Sequence, residues 1–337
     1  MTAAPLTSTP ADGIVQIRLP MRGNPMRYVN GYLLDDDDGC TLVDCGWKTD
    51  DVLASLHAGL AACGRTLADV RRLAITHMHF DHYGQAGTLL RAGVGELHMH
   101  PADWDAALQY LTDPLAADAA ADAWIARNGL TIVPEDADDD PHHRRSELTR
   151  PTHLTADGGR IGRLRAMWTP GHSPGHLCFV DERSGMLLTG DHVLDPVTPH
   201  VGNWFGRGGD AMGDYIASLR RVAASGIAHA LPAHGERFDH LQRRVAELLA
   251  HEAAREAEIL AALAFGAQSA TDVARALRWR RRGDPFDALP PPHQQFAVAE
   301  TLAHLEHLRA RGVVERDDAA HPVRYIESTN ARASEAS

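Results

Sequence analysis

Apolar and polar positions alternate in "IVQIRLP" (14–20) and "YVNGYLL" (28–34), which are rich in β-branched and aromatic residues, so each predicts a strand. A turn at "DDDDG" (35–39) returns the chain as a third strand, "CTLVDCG" (40–46), and the four aspartates read as a solvated hairpin tip. The spacing of Val52, Leu53, Leu56 and Leu60 in "DDVLASLHAGLAACG" makes one apolar helical face. "VRRLAIT" (70–76) is then a short buried strand that runs into a histidine cluster. Strands resume with "RLRAMWTPGH" (163–172), "LCFVDERSGMLLTGDHVL" (177–194) and "IAHALPAHGE" (227–236). Strand–helix alternation with polar clusters at strand ends predicts a layered α/β protein.

Between these blocks, about residues 101–150, "WDAALQYL" and "DAWIARNGL" predict a helical insert, followed by the charged connector "PEDADDDPHHRRSE". Past Phe238 the period becomes helical in "HLQRRVAELLAHEAAREAEILAAL", "TDVARAL" and "QQFAVAETLAHLEHLRARG". "VVERDD" and "VRYIES" then read as a short hairpin. The expected organisation is a domain over 14–240 with the insert, then a small helical, winged-helix-like domain over 241–328. The first dozen residues carry no periodic pattern and read as flexible.

Composition narrows the function classes. At 337 residues, 44% hydrophobic and 23% charged, the chain is an ordinary globular protein. A net charge of −12 gives no global basic field for nucleic acid and favours neutral or cationic partners. Cys40, Cys45, Cys63 and Cys178 show no paired spacing and read as buried free thiols in a reducing cytoplasm. The start "MTAAPLTSTPADG" lacks a basic, apolar leader, and no run approaches the roughly 18 apolar residues that span a membrane, so the expected partner is a small molecule in the cytoplasm.

The stretch "ITHMHFDHYGQAG" (75–87) puts His77, His79, Asp81 and His82 within six positions. Imidazole nitrogen and carboxylate oxygen suit zinc and similar divalent ions. Three later segments repeat one theme, a strand end, a small turn residue and a metal-capable side chain. They are "TPGHSPGH" with His172, "LLTGDHVL" with Asp191 and "ALPAHGE" with His234. Loops at one edge of a rigid sheet are where sites are assembled.

This ordered set, H-x-H-x-D-H followed by His, Asp and His, resembles the metallo-β-lactamase fold superfamily over roughly residues 14–240. Asp44 in "LVDCG" matches that family's strand-end aspartate, usually structural. The resemblance implies an αββα sandwich in which His77, His79 and His172 hold one metal, Asp81, His82 and His234 a second, and Asp191 bridges both. It places Asp191 where the antibiotic-hydrolysing branch usually has cysteine, as in the glyoxalase II-like, lactonase and nuclease branches. The implied chemistry is attack by a metal-bridging hydroxide on an ester-type bond, a thioester, lactone or related acyl compound, with zinc the first choice of the two divalent ions and iron or manganese compatible. Asp81 and Asp191 are the expected catalytic carboxylates, Asp81 orienting the hydroxide and passing on its proton. No serine stretch forms a G-x-S-x-G elbow.

Two other readings compete. One is a phosphodiesterase or endoribonuclease using the same metals, as in the branch that includes a mitochondrial endoribonuclease with a similar tail. The other is a metal-stabilised regulatory protein whose winged helix contacts DNA, although "QQFAVAETLAHLEHLRARG" is poorly basic. Weak β-lactam or organophosphate hydrolysis is a compatible side activity. His200, Asn203, Trp204 and Phe205 in "VTPHVGNWFGRGG" are the expected substrate contacts. His98, His100 and His192 read as neighbours of the site or packing residues, and the "WRRRGDPF" arginines as a paired, solvated turn.

Overall fold

The computed structural model describes residues 6–112, 114–131, 149–203, 209–280 and 282–329, with only the backbone of 109–112 and 114–118. Among them the chain forms two compact units. The first contains two sheets. One joins β1 (Thr7–Ala11), β2 (Ile14–Pro20), β3 (Tyr28–Asp36), β4 (Gly39–Val43), β5 (Val70–Ala74), β6 (Glu96–Met99) and β7 (His153–Leu154) in that order. The other joins β8 (Arg160–Ile161), β9 (Leu164–Trp168), β10 (Leu177–Asp181), β11 (Met186–Gly190) and β12 (His229–Pro232). Their facing sides share one apolar core, with Ile14, Leu34, Val43 and Ala74 packed against Leu164, Leu177, Phe179, Leu188 and Leu231. Burying one such large side chain contributes about 1.5–3 kcal/mol.

Helices α1 (Asp50–Ala62), α2 (Phe80–Tyr83) and α3 (Ala86–Arg91) supply Val52, Leu56, Leu60, Tyr83 and Leu89 to a second core on the outer face of the first sheet. α4 (Pro101–Thr112) belongs to the same unit. The expected layered α/β sandwich is therefore present.

Strand direction assembles the site. β4, β5 and β6 run parallel, so the residues after each emerge along one edge of their sheet. β11 pairs parallel with β12, and β9 is antiparallel to β10, which is antiparallel to β11. β9, β11 and β12 thus point the same way, and His172, Asp191 and His234 follow them on one edge of the second sheet. Tyr32 Oη and Asn30 Nδ2 donate to Pro232 O at 2.7 and 3.0 Å and tie the end of β12 to β3.

Two expectations need correction here. The supposedly flexible start contains β1, a polar edge strand with Pro10 that pairs antiparallel to β2; edge strands can be polar and proline-bearing, so periodicity misses them. The aspartate run is not wholly a solvated tip. The Asp36 side chain is buried, accepting from Thr41 Oγ1 at 2.5 Å and Arg163 N at 2.9 Å, while Asp37 and Asp38 make the turn.

The second unit comprises the described parts of 113–138, 200–217 and 246–337. α5 (Pro114–Arg127) groups here, so the expected insert divides: α4 stays with the sheets, whereas Trp124 of α5 is buried with Ile259, Leu263, Val273, Phe286, Leu305 and Tyr325. α6 (Ala211–Ala224) and α7 (Leu241–Leu263) each contribute residues to both units. α8 (Ala270–Ala276) starts at a capping box between Ser269 and Asp272. The short pair β13 (Arg278–Trp279) and β14 (Asp284–Pro285) precedes α9 (Pro291–Ala310), and the hairpin of β15 (Val314–Asp317) and β16 (Arg324–Glu327) follows it. Arg280 and Arg282 reach Asp284 at 3.7 and 3.5 Å, as a paired turn should.

Candidate metal centre

Site geometry begins at Asp44, which leaves β4 with φ 57°, a left-handed conformation that aspartate tolerates better than most residues. Its buried carboxylate accepts from Thr76 N at 2.9 Å, Thr76 Oγ1 at 2.8 Å and His82 Nδ1 at 2.8 Å. A carboxylate only accepts, so His82 carries its proton on Nδ1 and turns the Nε2 lone pair inward. With its hydrogen given to Asp44, Thr76 Oγ1 accepts from His77 Nδ1 at 3.0 Å, leaving His77 Nε2 as a lone pair as well. His234 Nδ1 donates to Tyr28 O at 3.0 Å, with the same consequence. Such outer hydrogen bonds fix tautomers in metal sites.

The inward nitrogens converge. His77 Nε2 lies 2.8 Å from His79 Nδ1, and His172 Nε2 lies 3.2 and 3.0 Å from those two atoms. Ligands tetrahedrally placed about 2.0–2.1 Å from one zinc stand roughly 3.4 Å apart, a similar triangle. Asp81 Oδ2 is 3.5 Å from His82 Nε2 and 3.3 Å from His234 Nε2. Asp191 reaches both groups: Oδ2 is 3.6 Å from His172 Nε2 and 3.5 Å from His82 Nε2, and Oδ1 is 3.5 Å from His234 Nε2. All seven expected ligand residues are thus brought together.

Burial holds His77 well below its ordinary pKa and His79 at about 3, with the neighbouring imidazoles adding to the effect. Burial opposes ionisation of Asp81 and Asp191, but His82 and His234 outweigh it and hold both below the carboxylate range. Conversely, the surrounding carboxylates raise His82 and His234 against their burial. Neutral imidazoles and ionised carboxylates are the ligating forms, so a cation drawn by the negative charge around His82 and His234 would displace the second proton that the carboxylates favour on them and leave the Nδ1 proton in place. His82 Nε2 and Asp191 Oδ1 are moreover buried without a hydrogen-bond partner. The residues present fit divalent metal ions.

A further grouping, Glu96, His98 and His153, does not fit. The His98 and His153 rings stack at 17° and 4.7 Å, so their in-plane lone pairs do not converge. Glu96 Oε2 already meets His98 Nε2 at 3.0 Å and Arg72 Nε at 3.4 Å.

His200 and Asn203 belong to the second unit, where His200 Nδ1 is 3.6 Å from Glu300 and Asn203 N donates to Ala299 O at 3.0 Å. Trp204, Phe205, His142 and His143 lie outside the described residues. His192 is fully buried, its ring 5.9 Å from that of His176.

Sequence reasoning missed two buried residues. His176 Nε2 accepts from Asp191 N at 3.2 Å, and its Nδ1 donates to Thr169 Oγ1 at 2.9 Å. Its signal was the second histidine of "TPGHSPGH". Asp103, in the first turn of α4, bonds to both histidine-bearing loops and had no signal beyond its place near a helix start.

Residues 25–234 match the family model of the metallo-beta-lactamase superfamily, and 257–328 match that of the metallo-beta-lactamase-like C-terminal domain. A crystal structure of a metallo-beta-lactamase family protein from Thermus thermophilus is 30% identical with TM-score 0.78, covering 94% of this chain and 98% of that one. The lactamase-like protein adaB of Aspergillus niger is 28% identical over 245 residues, 72% of this chain and 62% of its own. The atrochrysone carboxyl ACP thioesterase AacuM of Aspergillus aculeatus is 38% identical over 100 residues, 30% of each chain. The match therefore spans less than two thirds of these curated relatives.

Proposed function

Because the chain belongs to the metallo-β-lactamase superfamily, we propose that it is a hydrolase whose site holds two divalent ions and cleaves an ester-type bond, a thioester before a lactone or other acyl compound. His77, His79 and His172 would hold one ion and Asp81, His82 and His234 the other, with Asp191 shared. The observation that supports this reading is the convergence of seven donor residues, five histidines and two ionised carboxylates, of which Asp191 reaches both groups. Held by these residues, divalent ions would supply Lewis acidity, which lowers the pKa of water and polarises an acyl oxygen. Zinc suits the histidine-rich donor set best, with iron and manganese accommodated by the same ligands.

The chain's own residues do the rest. Asp81, ionised and partly open to solvent, would hold the water and take its proton toward the leaving group. Asp44 and Tyr28 O keep His82 and His234 in the ligating tautomer. A thioester ranks first because a relative bears the name atrochrysone carboxyl ACP thioesterase. Phosphodiester cleavage at the same residues is the second reading, and the −12 charge counts against it.

A screen of metal-reconstituted protein across acyl thioesters, lactones, β-lactams, phosphodiesters and single-stranded RNA tests the assignment. Metal-dependent thioester or lactone turnover is expected. RNA cleavage that falls steeply with salt, with no acyl turnover, would replace it with the nuclease reading.

A further inference from the structure

We infer that Asp103 is a positioning residue that locks the loop carrying His77 and His79 to the loop carrying His172, and so sets the geometry of the three-histidine group. This rests on the reading of those histidines as metal ligands. An acid in the first turn of a helix ordinarily faces solvent and interacts with the helix dipole. Asp103 instead is fully buried. Its Oδ2 accepts from Met78 N at 2.8 Å, the peptide between His77 and His79. The same oxygen accepts from Ser173 Oγ at 2.9 Å, one residue beyond His172. Its Oδ1 accepts from Gly175 N at 2.5 Å, immediately before His176, whose Nε2 in turn accepts from Asp191 N.

One carboxylate therefore touches both loops, and both loops supply the triangle of His77, His79 and His172 nitrogens. The approach is close. A Cβ at Gly175 would lie 2.5 Å from Asp103 N and 2.8 Å from Asp103 Cβ, so glycine is what admits α4 to this position. Trp168 Nε1 adds a bond to Pro174 O at 3.0 Å from the far side of the same turn. The acceptor must offer oxygen on both branches. Asn in its place would turn an amide N–H toward Gly175 N–H or toward the Met78 and Ser173 donors, and one loop would shift relative to the other. The second group, Asp81, His82 and His234, takes its outer hydrogen bonds from Asp44 and Tyr28, and Asp103 reaches it only indirectly, through Gly175, His176 and the shared Asp191.

The test is a competitive titration of apo-protein with Zn²⁺ against a chromophoric chelator, run on wild type, Asp103→Asn and Ser173→Ala, with thermal unfolding of each apo-protein alongside. Wild type should show two binding steps. Asp103→Asn should weaken one of them by about 10–100-fold and leave the other within about threefold. Ser173→Ala, which deletes one donor and leaves the fold intact, should weaken the same step by a smaller factor; it decides the matter if Asp103→Asn does not fold. Co²⁺ absorption should change for that step alone. Unchanged affinities in a folded Asp103→Asn, or equal weakening of both steps in parallel with a lower Tm, would overturn the positioning role while leaving two-metal binding in place. A wild type that binds less than one Zn²⁺ would overturn both readings together.

Discussion

Asp44→Asn isolates the tautomer logic from the backbone. Asparagine also tolerates the left-handed conformation that residue 44 adopts, so the turn after β4 should persist. What changes is the acceptor facing Thr76 Oγ1 and His82 Nδ1, each at 2.8 Å, which becomes an amide donor, while Thr76 N keeps an oxygen at 2.9 Å. Hydrogen bonds to a charged acceptor contribute about 1.5–3 kcal/mol each, and the hydroxyl can rotate to find another partner whereas the imidazole cannot. The apo-protein should therefore lose about 2–4 kcal/mol on denaturant unfolding, with an unchanged m-value. His82 would also exchange tautomers and present Nε2–H to the site, costing metal affinity about 10–100-fold at that ion. Denaturant titration with and without Zn²⁺ reads both effects. A variant within about 0.5 kcal/mol of wild type and with undiminished Zn²⁺ affinity would mean that Asp44 does not fix the His82 tautomer.

Asp191→Ala should lower hydrolysis by several orders of magnitude with the far-ultraviolet circular dichroism intact, and near-wild-type turnover would rule out the shared-ligand role proposed for Asp191. Phe179→Ala empties a fully buried position between the sheets and should cost about 3–5 kcal/mol by denaturant unfolding; a loss under about 1 kcal/mol would mean the facing sheets do not form one core. In the second unit, burial raises the Glu306 carboxyl, but hydrogen bonds from Arg309 Nε (2.7 Å), Tyr325 Oη (2.8 Å) and Arg316 Nη1 (2.9 Å) outweigh it and hold it below its ordinary 4.5. With the folded pKa depressed, the stabilisation is complete above about pH 4.5 and is lost as pH falls through the folded value. Glu306→Gln should thus cost about 1–3 kcal/mol at pH 7 and progressively less below pH 4.5, and a pH-independent difference would contradict this.

The convergence of His77, His79, Asp81, His82, His172, Asp191 and His234 was legible because each follows a strand end, and strand ends on one edge of a sheet are near one another whatever the intervening chain does. Strands β2 to β5 and helices α1, α7 and α9 were legible from their apolar period. Residues whose role depends on tertiary approach were not. Asp103 reads as a helix-start acid until Met78, Ser173 and Gly175 surround it. Trp124 likewise has the same local pattern whether its helix packs with the sheets or with α7 to α9. Polar β1 carries no apolar alternation, and its pairing with β2 comes from backbone hydrogen bonds that side-chain patterning does not record.

Elemental analysis of protein purified without chelator decides whether this edge of the sandwich is a two-metal centre. Close to two divalent ions per chain are expected, falling on His172→Ala and Asp191→Ala substitution. Well under one ion per chain, in folded protein supplied with zinc, iron and manganese, would contradict it.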